Sequence, residues 1–348
     1  MLVGAILVIG QSSPVNHWTQ NSCGDLAAPG MLGNTPIACL ELVGRTILDR
    51  VVQKLHQDGV GLITVVAGDE FSDLARTSAT SRARVRSVSP SIDVWSAAEC
   101  VLHEYIEQGV ESVLLTSIRA YAEVDFPDLI RFHREMKQGL TSVTNPSGPV
   151  DLRIVDARRV VSTRAAGLSG LMDHGTDAEV ALYPVRGYFN PLNDARDIRQ
   201  LVVDAFLSRC EIRPQGTEIT PGIWLDDGAR VHRRARIEAP AYLGGGTRLR
   251  ADTLVTRFSA LERGCDIHEG TVIEDSSILA HTGVGKGLSL THSVADGNKL
   301  FLLRGHLAVE IQDSKLLHRT LPIQPLGSMA GGGSSTSLAE RLLAATWT

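Results

Sequence analysis

The chain has 348 residues and a formal net charge of −5, with 43% hydrophobic and 21% charged residues. That length suggests about two domains, and the composition is that of a globular protein. The excess of acids argues against a general nucleic-acid binder, and no apolar run reaches the roughly 20 residues of a membrane span. The five cysteines form no CxxC pair, so we expect no disulfide framework, no zinc site and a reducing cytoplasm.

The first 200 residues or so alternate strand-like and helix-like segments. The predicted strands span 2–9, 62–67 and 112–116, and the predicted helices span 45–57, 94–107, 128–137 and 194–207. The apolar start favours a first strand over a signal peptide. Strands that alternate with helices are typical of a mostly parallel sheet covered on both faces. We therefore predict an α/β fold for this part of the chain.

From Ile219 onward an aliphatic residue recurs at every sixth position, a period that neither helices nor ordinary strands produce. The eleven members of the series are Ile219, Leu225, Val231, Ile237, Leu243, Leu249, Val255, Leu261, Ile267, Ile273 and Leu279. Such hexapeptides are typical of a parallel β-helix, in which three repeats make one triangular coil. After Leu279 we expect the register to slip by three residues and to resume at Leu288.

The period also suggests where the parts of the chain begin and end. The β-helix is predicted over 219–313, after a linker at 208–218. The Gly/Ser-rich stretch at 327–337 predicts a flexible tail over 314–348. Within that tail, residues 338–347 could form one short helix.

An α/β domain followed by hexapeptide repeats resembles the sugar-1-phosphate nucleotidyltransferases, which join a nucleoside triphosphate to a sugar phosphate and release pyrophosphate. The segments at 33–68, 112–135 and 185–206 are similar to those that carry the family's Gly-Lys-Pro turn and its two metal-binding aspartates. The resemblance implies a nucleotidyltransferase-like three-layer α/β/α sandwich over 1–207, followed by a left-handed parallel β-helix. It also implies a role in nucleotide-sugar or polysaccharide metabolism.

The residues that carry the family's chemistry differ in this chain. Where the family's phosphate loop reads Gly-Gly-x-Gly-Thr-Arg, this chain reads Gly-Gln-Ser-Ser-Pro-Val from Gly10. The family's lysine falls on Ile37 and its first metal aspartate on Arg119. Its second metal aspartate falls on Asn190 or Pro191. Because the reaction needs Mg²⁺ on carboxylates, we predict a catalytically degenerate protein with no catalytic residue and no metal site, and we expect Mg²⁺ only if the chain is active.

The same comparison gives candidate residues for holding a phosphate or a nucleotide. They are Gly10, Gln11, Ser12, Ser13, Ser96 and Arg119. The first four follow the first predicted strand, Ser96 opens a predicted helix, and a guanidinium at Arg119 could anchor an anion without a metal. The structural alternatives are a plain turn at Gly10 and a surface salt bridge at Arg119.

Two other functions stay open. The chain could be an active nucleotidyltransferase with a rewired site, or a hexapeptide-repeat acyltransferase that uses a histidine as general base. Four histidines of the repeats are candidates for that base: His232, His268, His281 and His292. As partners we expect a nucleotide or sugar phosphate, a second copy of the chain through the β-helix, and an active homologue, with neither nucleic acid nor a membrane.

Residues 18 positions apart should stack on successive coils, which brings basic residues together. The predicted basic strip consists of Arg230, His232, Arg248, Arg250 and His268, with Asp266 as the acid in the same columns. Stacked like charges repel unless an acidic partner arrives, so the strip could bind an anion or dock a partner. The alternative is a solvated face whose charges pair with nearby acids.

Overall fold

The computed structural model describes residues 2–9, 31–32, 35–79, 82–146, 148–157, 168, 172 and 180–320. Within these ranges no helix is long and apolar enough to cross a membrane. In chain order, the elements of the N-terminal part (residues 2–207) are β1 Leu2–Ile9, β2 Met31–Leu32, β3 Thr35–Pro36, β4 Glu41–Leu42, β5 Arg45–Thr46, α1 Ile47–Gln57, β6 Leu62–Gly68, α2 Asp69–Ala79, β7 Arg84–Val88, α3 Val94–Glu107, β8 Val110–Thr116, β9 Tyr121–Ala122, α4 Phe126–Met136, β10 Leu140–Asn145, β11 Gly148–Asp156, β12 Ala181–Pro184, β13 Phe189–Asn190 and α5 Ala195–Phe206.

A seven-stranded sheet forms the centre of the N-terminal part, in the strand order β12-β10-β11-β8-β1-β6-β7. Neighbouring strands are parallel except at β11, which runs antiparallel to both β8 and β10. Strand β1 is almost entirely buried, and only Leu2 is exposed, because helices cover both faces of the sheet. One face packs on α3 through Val101 and Leu102, and the other packs on α1, α4 and α5. The expected α/β fold with a parallel-rich sheet is confirmed.

Capping residues set the helix boundaries. Helix α1 begins at Ile47 rather than at residue 45, because the Thr46 hydroxyl accepts the backbone N–H three residues on at 3.1 Å. Helix α4 begins at Phe126, two residues before the predicted start, because the Asp125 carboxylate caps it in the same way at 2.9 Å. Such caps satisfy backbone donors that have no partner within the helix. Helix α3 has the bounds that its periodicity predicts.

The repeat part (residues 217–320) consists almost entirely of short strands. They are β14 Thr217–Thr220, β15 Ile223–Leu225, β16 Arg230–Val231, β17 Arg236–Ile237, β18 Ala241–Leu243, β19 Arg248–Leu249, β20 Leu254–Thr256, β21 Ser259–Leu261, β22 Asp266–Ile267, β23 Val272–Glu274, β24 Ser277–Ile278, β25 Thr282–Val284, β26 Ser289–Thr291, β27 Ser293–Asp296, β28 Lys299–Leu302, β29 Leu307–Glu310 and β30 Leu317–Arg319.

From β15 to β27, successive strands enter three sheets in rotation, and β28 and β29 then stay in the first sheet. The strand orders are β14-β15-β18-β21-β24-β27-β28-β29, β16-β19-β22-β25-β30 and β17-β20-β23-β26. Parallel pairs such as Ile223 with Ala241, and Arg230 with Arg248, join residues 18 positions apart. That spacing is three repeats of the predicted period, so each sheet receives every third strand.

The middle of the aliphatic series forms the interior of the repeat part. The members that are 0% exposed and share one cluster are Leu243, Leu249, Val255, Leu261, Ile267 and Ile273. Each strand directs one of these side chains into the space between the three sheets. The aliphatic residues therefore recur once per strand, which gives the six-residue period. Val231, in the first repeats, is 37% exposed because its strand β16 begins the second sheet and no earlier strand covers it.

Both ends of the series differ from the prediction. Ile219 lies in the antiparallel hairpin of β14 with β15 and is 54% exposed. At the other end, Ile278 rather than Leu279 takes the inward position beside Leu261, and Val284 is the next inward residue. The register therefore slips by one residue instead of three, and it does so one repeat earlier than expected. Leu279 is also buried, at 3% exposure, but it packs in the apolar cluster of the N-terminal part. The apolar pattern of the sequence does not show whether a residue is buried inside the repeat part or against the N-terminal part.

Strand β30 covers the end of the second sheet. It pairs antiparallel with β25, and Leu317 is 3% exposed in the interior cluster of the repeat part. Residues Leu317–Arg319 therefore belong to the second sheet, although the aliphatic period, which reflects parallel strands only, assigns them to the tail. The rest of the expected tail and its short helix, at 321–348, lie outside the described residues.

Candidate functional site

The carboxyl ends of the parallel strands β6, β1 and β8 meet at one edge of the central sheet, which is the edge where open α/β sheets bind ligands. Four candidate ligand-binding residues, Gly10, Gln11, Ser12 and Ser13, follow β1 in the chain but lie outside the described residues. The described part of the site consists of the segment after β8, the neighbouring strand β11 and the start of α3.

Arg119 follows β8 and contacts an acid. Its Nε lies 3.6 Å from Oδ2 of Asp151, and the two side chains are 32% and 21% exposed. The Thr116 hydroxyl donates to the Asp151 carbonyl at 2.6 Å, and the Ser117 hydroxyl donates to the Asp151 carboxylate. The guanidinium is therefore held at the strand end, where the aspartate offsets part of its charge and part of its surface is open to solvent.

A small cavity lies beside this ion pair. Its volume is about 40 Å³, with Leu7, Leu55 and Leu114 on its apolar side and Arg119 and Asp151 on its polar side. That volume accommodates a few water molecules or a small ion rather than a nucleotide. At this edge Arg119 can act as a metal-free contact for one anionic group.

Ser96 lies in the first turn of α3, where its backbone donor is already used. The Asp93 carboxylate caps the helix and accepts the Ser96 N–H at 3.0 Å. A phosphate at this helix end would have to displace a carboxylate of the same sign, so the helix terminus is less available to an anion than its position suggests.

The positions where the resemblance places the lysine and the second metal aspartate have structural roles. Ile37 is 2% exposed in a buried 3-10 turn. The Asn190 amide is 3% exposed, donates to the Asp197 carbonyl at 2.9 Å and accepts the Leu192 N–H at 3.0 Å. These bonds fix the turn that leads into α5. Among the described residues, no three His, Cys, Asp or Glu side chains converge to hold a metal ion.

The register of the second sheet brings the basic strip together. Arg230 pairs with Arg248, which pairs with Asp266 in the next strand. Arg250 binds the Asp266 carboxylate through Nε at 3.0 Å and Nη2 at 2.8 Å, and His268 Nε2 lies 3.9 Å from it. Burial acts to raise the pKa of Asp266, but hydrogen bonding and charge from Arg250 lower that pKa overall. Arg230 and Arg248 have no acid within 4.0 Å in the described part of the chain.

The sequence analysis missed one residue beside the strip, His318. Because β30 pairs antiparallel with β25, His318 lies opposite Gly283, and its ring centroid is 6.5 Å from that of His268. A side chain at position 283 would overlap the His318 ring, so this close approach requires glycine. The sequence feature that could have pointed to His318 is a short strand-like segment after the repeats. The strand with which this segment pairs is specified only by the fold.

The histidines considered as general bases have structural contacts. His232 Nδ1 accepts a backbone N–H at 3.2 Å, and His292 Nδ1 lies 2.6 Å from the Asp275 carboxylate. Burial and two nearby arginines lower the pKa of His281, whose Nδ1 is buried without a hydrogen-bond partner among the described residues. His281 and His292 have positive φ angles of 59° and 50°, as residues at tight corners do. The positive φ angles of His281 and His292 fit a structural role at tight corners between strands.

A scan of protein-family models finds none that matches the chain, and a search of curated proteins finds no significant match. The resemblance to the nucleotidyltransferases therefore rests on the three sequence segments and stays a prediction. Fold alone does not specify an activity, so the function has to be inferred from the residues at the strand ends.

Proposed function

We propose that the protein is a nucleotidyltransferase-like protein without pyrophosphorylase activity, which acts as a binding partner or sensor in cytoplasmic nucleotide-sugar or polysaccharide metabolism. The observation that carries the proposal is the Arg119–Asp151 ion pair, at the strand end where the resemblance requires a metal-binding aspartate. The parallel-rich central sheet and the rotation of short strands through three sheets support the finer proposal of an α/β/α sandwich followed by a left-handed parallel β-helix.

The sign of the charge at residue 119 decides which chemistry the site supports. In the pyrophosphorylase reaction a sugar phosphate oxygen attacks the α-phosphorus of a triphosphate, and a carboxylate-bound Mg²⁺ offsets the charge of both anions. A guanidinium repels that cation but attracts a phosphate. The residues at this strand end therefore fit an anion and do not fit Mg²⁺.

We expect no pyrophosphate release above a no-enzyme control when the protein is incubated with Mg²⁺, a nucleoside triphosphate and a sugar-1-phosphate. The test pairs UTP, GTP and ATP in turn with glucose-1-phosphate and mannose-1-phosphate, and an enzyme-coupled assay detects pyrophosphate. Release by the wild type would contradict the proposal and favour an active enzyme with a rewired site. In that case Arg119→Asp should abolish the activity, because the rewired site depends on the guanidinium.

Retained binding is tested by thermal shift with the same nucleotides and with nucleotide sugars. A ligand present at about 100 times its Kd should stabilise the fold by about 2.7 kcal/mol. Arg119→Ala should remove that stabilisation if the ligand lies at the strand end. A shift that persists in Arg119→Ala would place the ligand elsewhere.

We also propose that the repeat part joins two or more copies of the chain. Strand β14 covers the edge of the first sheet, but β16 and β17 begin the other two sheets, and no described strand pairs with their outer edges. At this end Val231 is 37% exposed although it belongs to the inward series. An unpaired strand edge is a template for pairing with another chain.

Two double variants test whether the basic strip takes part in that assembly. Arg230→Ser with Arg248→Ser removes stacked cations that have no acid within 4.0 Å among the described residues, so the Tm should rise slightly or stay the same. The mass measured by light scattering should fall. Arg230→Ser with Arg250→Ser removes the same charge but also the partner of Asp266, and should cost about 1 kcal/mol or less. A large loss of Tm with unchanged mass in the first variant would show that the arginines are structural.

A further inference from the structure

A second and larger cavity, of about 250 Å³, lies beside the outer face of α1. Its other walls are the segment 121–126, which leads into α4, and the segment 211–215, which leads into the repeat part. These segments are far apart in the chain, so the cleft leaves no local signal in the sequence.

Cations line both sides of this cleft. They are Arg45, Arg50, Lys54 and Arg213, and the acids in the lining are Glu123 and Glu211. The Glu123 carboxylate accepts the backbone N–H of Glu211. On the α1 side, Arg45 lies 3.9 Å from Asp49 and Lys54 lies 3.4 Å from Asp58. Across the cleft, Arg213 donates to main-chain carbonyls and has no acid within 4.0 Å among the described residues.

Arg50 forms the inner wall of the cleft. Its Nη2 donates to the Leu42 carbonyl at 2.8 Å, but its Nε is buried and has no hydrogen-bond partner within the described ranges. No described carboxylate lies within 4.0 Å of this guanidinium. Burial lowers the pKa of Arg50, and the neighbouring Tyr121 and Glu262 only partly offset that effect. A charge that is largely removed from water and has no salt-bridge partner is costly, and an anion entering the cleft would supply a counter-charge to Arg50.

The shape and charge of the cleft specify one class of ligand. A cavity of about 250 Å³ holds a small molecule rather than a polymer. A phosphate group offers three acceptor oxygens and up to two charges, and guanidinium groups bind such oxygens in pairs. Cations on two opposite walls match two linked phosphates better than one carboxylate. We propose that this cleft binds a small molecule with a diphosphate or longer polyphosphate group, held by Arg50, Arg45, Lys54 and Arg213.

The cleft is separate from the cavity beside Arg119. Val51, Ala122, Val124 and Phe126 line both cavities and form the wall between them. Arg119 itself does not line the cleft. A ligand in the cleft therefore does not depend on the function proposed for the strand end, and the two sites can be tested apart.

The test is isothermal titration calorimetry of the full chain with orthophosphate, pyrophosphate and ATP at constant ionic strength. Lys54→Gln with Arg213→Ser removes two partly exposed cations, so this variant should fold. Losing two charge-assisted hydrogen bonds should weaken pyrophosphate binding about a hundredfold, roughly tenfold for each. Arg233→Ser with Lys286→Gln is the matched control, because it removes two exposed cations of the repeat part. Its Kd should stay within about twofold of the wild type, since distant surface charges are screened.

The pyrophosphate binding that depends on Lys54 and Arg213 should persist in Arg119→Ala, because Arg119 does not line the cleft. Loss of binding in Arg119→Ala, with normal binding in the Lys54/Arg213 variant, would move the ligand to the strand end and overturn the proposal. A wild type that binds neither pyrophosphate nor ATP would overturn it as well.

The relative affinities identify the ligand. If ATP binds more tightly than pyrophosphate, and both weaken in the Lys54/Arg213 variant, the ligand is a nucleotide. Equal affinities would show that the linked phosphates alone are recognised.

Discussion

Glu262→Ala should lower the free energy of unfolding by about 4 kcal/mol, because it removes the acceptor of two buried backbone donors. Glu262 is 0% exposed, and its two carboxylate oxygens accept the Val43 N–H at 2.6 Å and the Gly44 N–H at 3.0 Å. These bonds join the repeat part to the turn that precedes α1. Each unsatisfied donor costs about 1–3 kcal/mol, and the space left by the side chain adds to the loss.

Glu262→Gln is the matched control. It keeps the size of the side chain and one carbonyl acceptor, so one of the two donors stays paired and the loss should be about 2 kcal/mol. Urea-induced unfolding measures both variants, and hydrogen exchange of the Val43 and Gly44 amides reports on the contact itself. Equal losses in the two variants would refute the role assigned to the acceptor oxygens.

The pH dependence of stability gives a second readout for Glu262. Burial raises its pKa well above the ordinary value, the nearby Glu41 adds to the effect, and the two backbone N–H groups and Arg50 only partly oppose it. Arg263 lies 2.9 Å from Glu41 and pairs with it. An acid with a raised folded-state pKa stabilises the fold below its unfolded pKa, and loses that contribution as pH rises through the folded value.

The wild type should therefore lose stability relative to Glu262→Gln as pH rises above about 4.3, the unfolded pKa of a glutamate. Unfolding free energies measured from about pH 4 to about pH 8 cover the window in which the raised pKa acts. Because Glu41 and Glu262 act on each other's titration, the difference between the two proteins reports on the pair of carboxyl groups. A difference that changes in the opposite direction would show that the buried carboxylate is stabilised as an anion.

Asp275→Ala should cost about 3–5 kcal/mol, the effect expected when a buried charge loses its partner. The Arg199 side chain is 4% exposed, and its Nη2 lies 2.7 Å from Asp275 Oδ1. Its Nε also donates to the Asp275 carbonyl at 3.2 Å, whereas Nη1 is buried without a hydrogen-bond partner in the described part of the chain. Removing the Asp275 carboxylate would leave the Arg199 guanidinium, which projects from α5 toward the repeat part, without a counter-charge.

Two variants separate the lost charge from other effects of this substitution. Asp275→Asn keeps an acceptor oxygen and tolerates the positive φ of 46° at this residue, which is strained for most side chains. Arg199→Met with Asp275→Ala removes both charges and should recover part of the stability that Asp275→Ala loses. Thermal unfolding compares all three proteins. A double variant less stable than Asp275→Ala would show that the unpaired guanidinium is not the cause.

The contributions of Glu262 and Asp275 to the stability of the fold should depend on pH in opposite directions. Burial acts to raise the pKa of Asp275, but the hydrogen bond from His292 and the charge and hydrogen bond of Arg199 outweigh it, so the pKa is lowered. The contribution of Asp275 is present above its unfolded pKa of about 3.9 and is lost as pH falls through the folded value. The difference between wild type and Asp275→Asn should accordingly shrink in acid.

Periodicity alone predicted the elements whose side chains repeat along the chain. Strand β1, helix α3 and the inward residues from Leu243 to Ile273 follow from periodicity, because the spacing of apolar residues reflects which face of each element is covered. The sequence also placed Arg119 at the end of a strand in the central sheet. It did not provide the partner of that arginine, because Asp151 reaches it from a strand formed by a later segment.

Contacts between distant segments set which apolar residues face which core, and which charges are buried. Ile278 and Leu279 are adjacent and both buried, yet one faces the repeat interior and the other faces the N-terminal part. Val43 and Glu262 are 219 positions apart in the chain and meet in a hydrogen bond. The cleft beside Arg50 likewise needs three distant segments to form. Burial created by contacts between distant segments leaves no periodic mark on either segment, so local patterns do not reveal it.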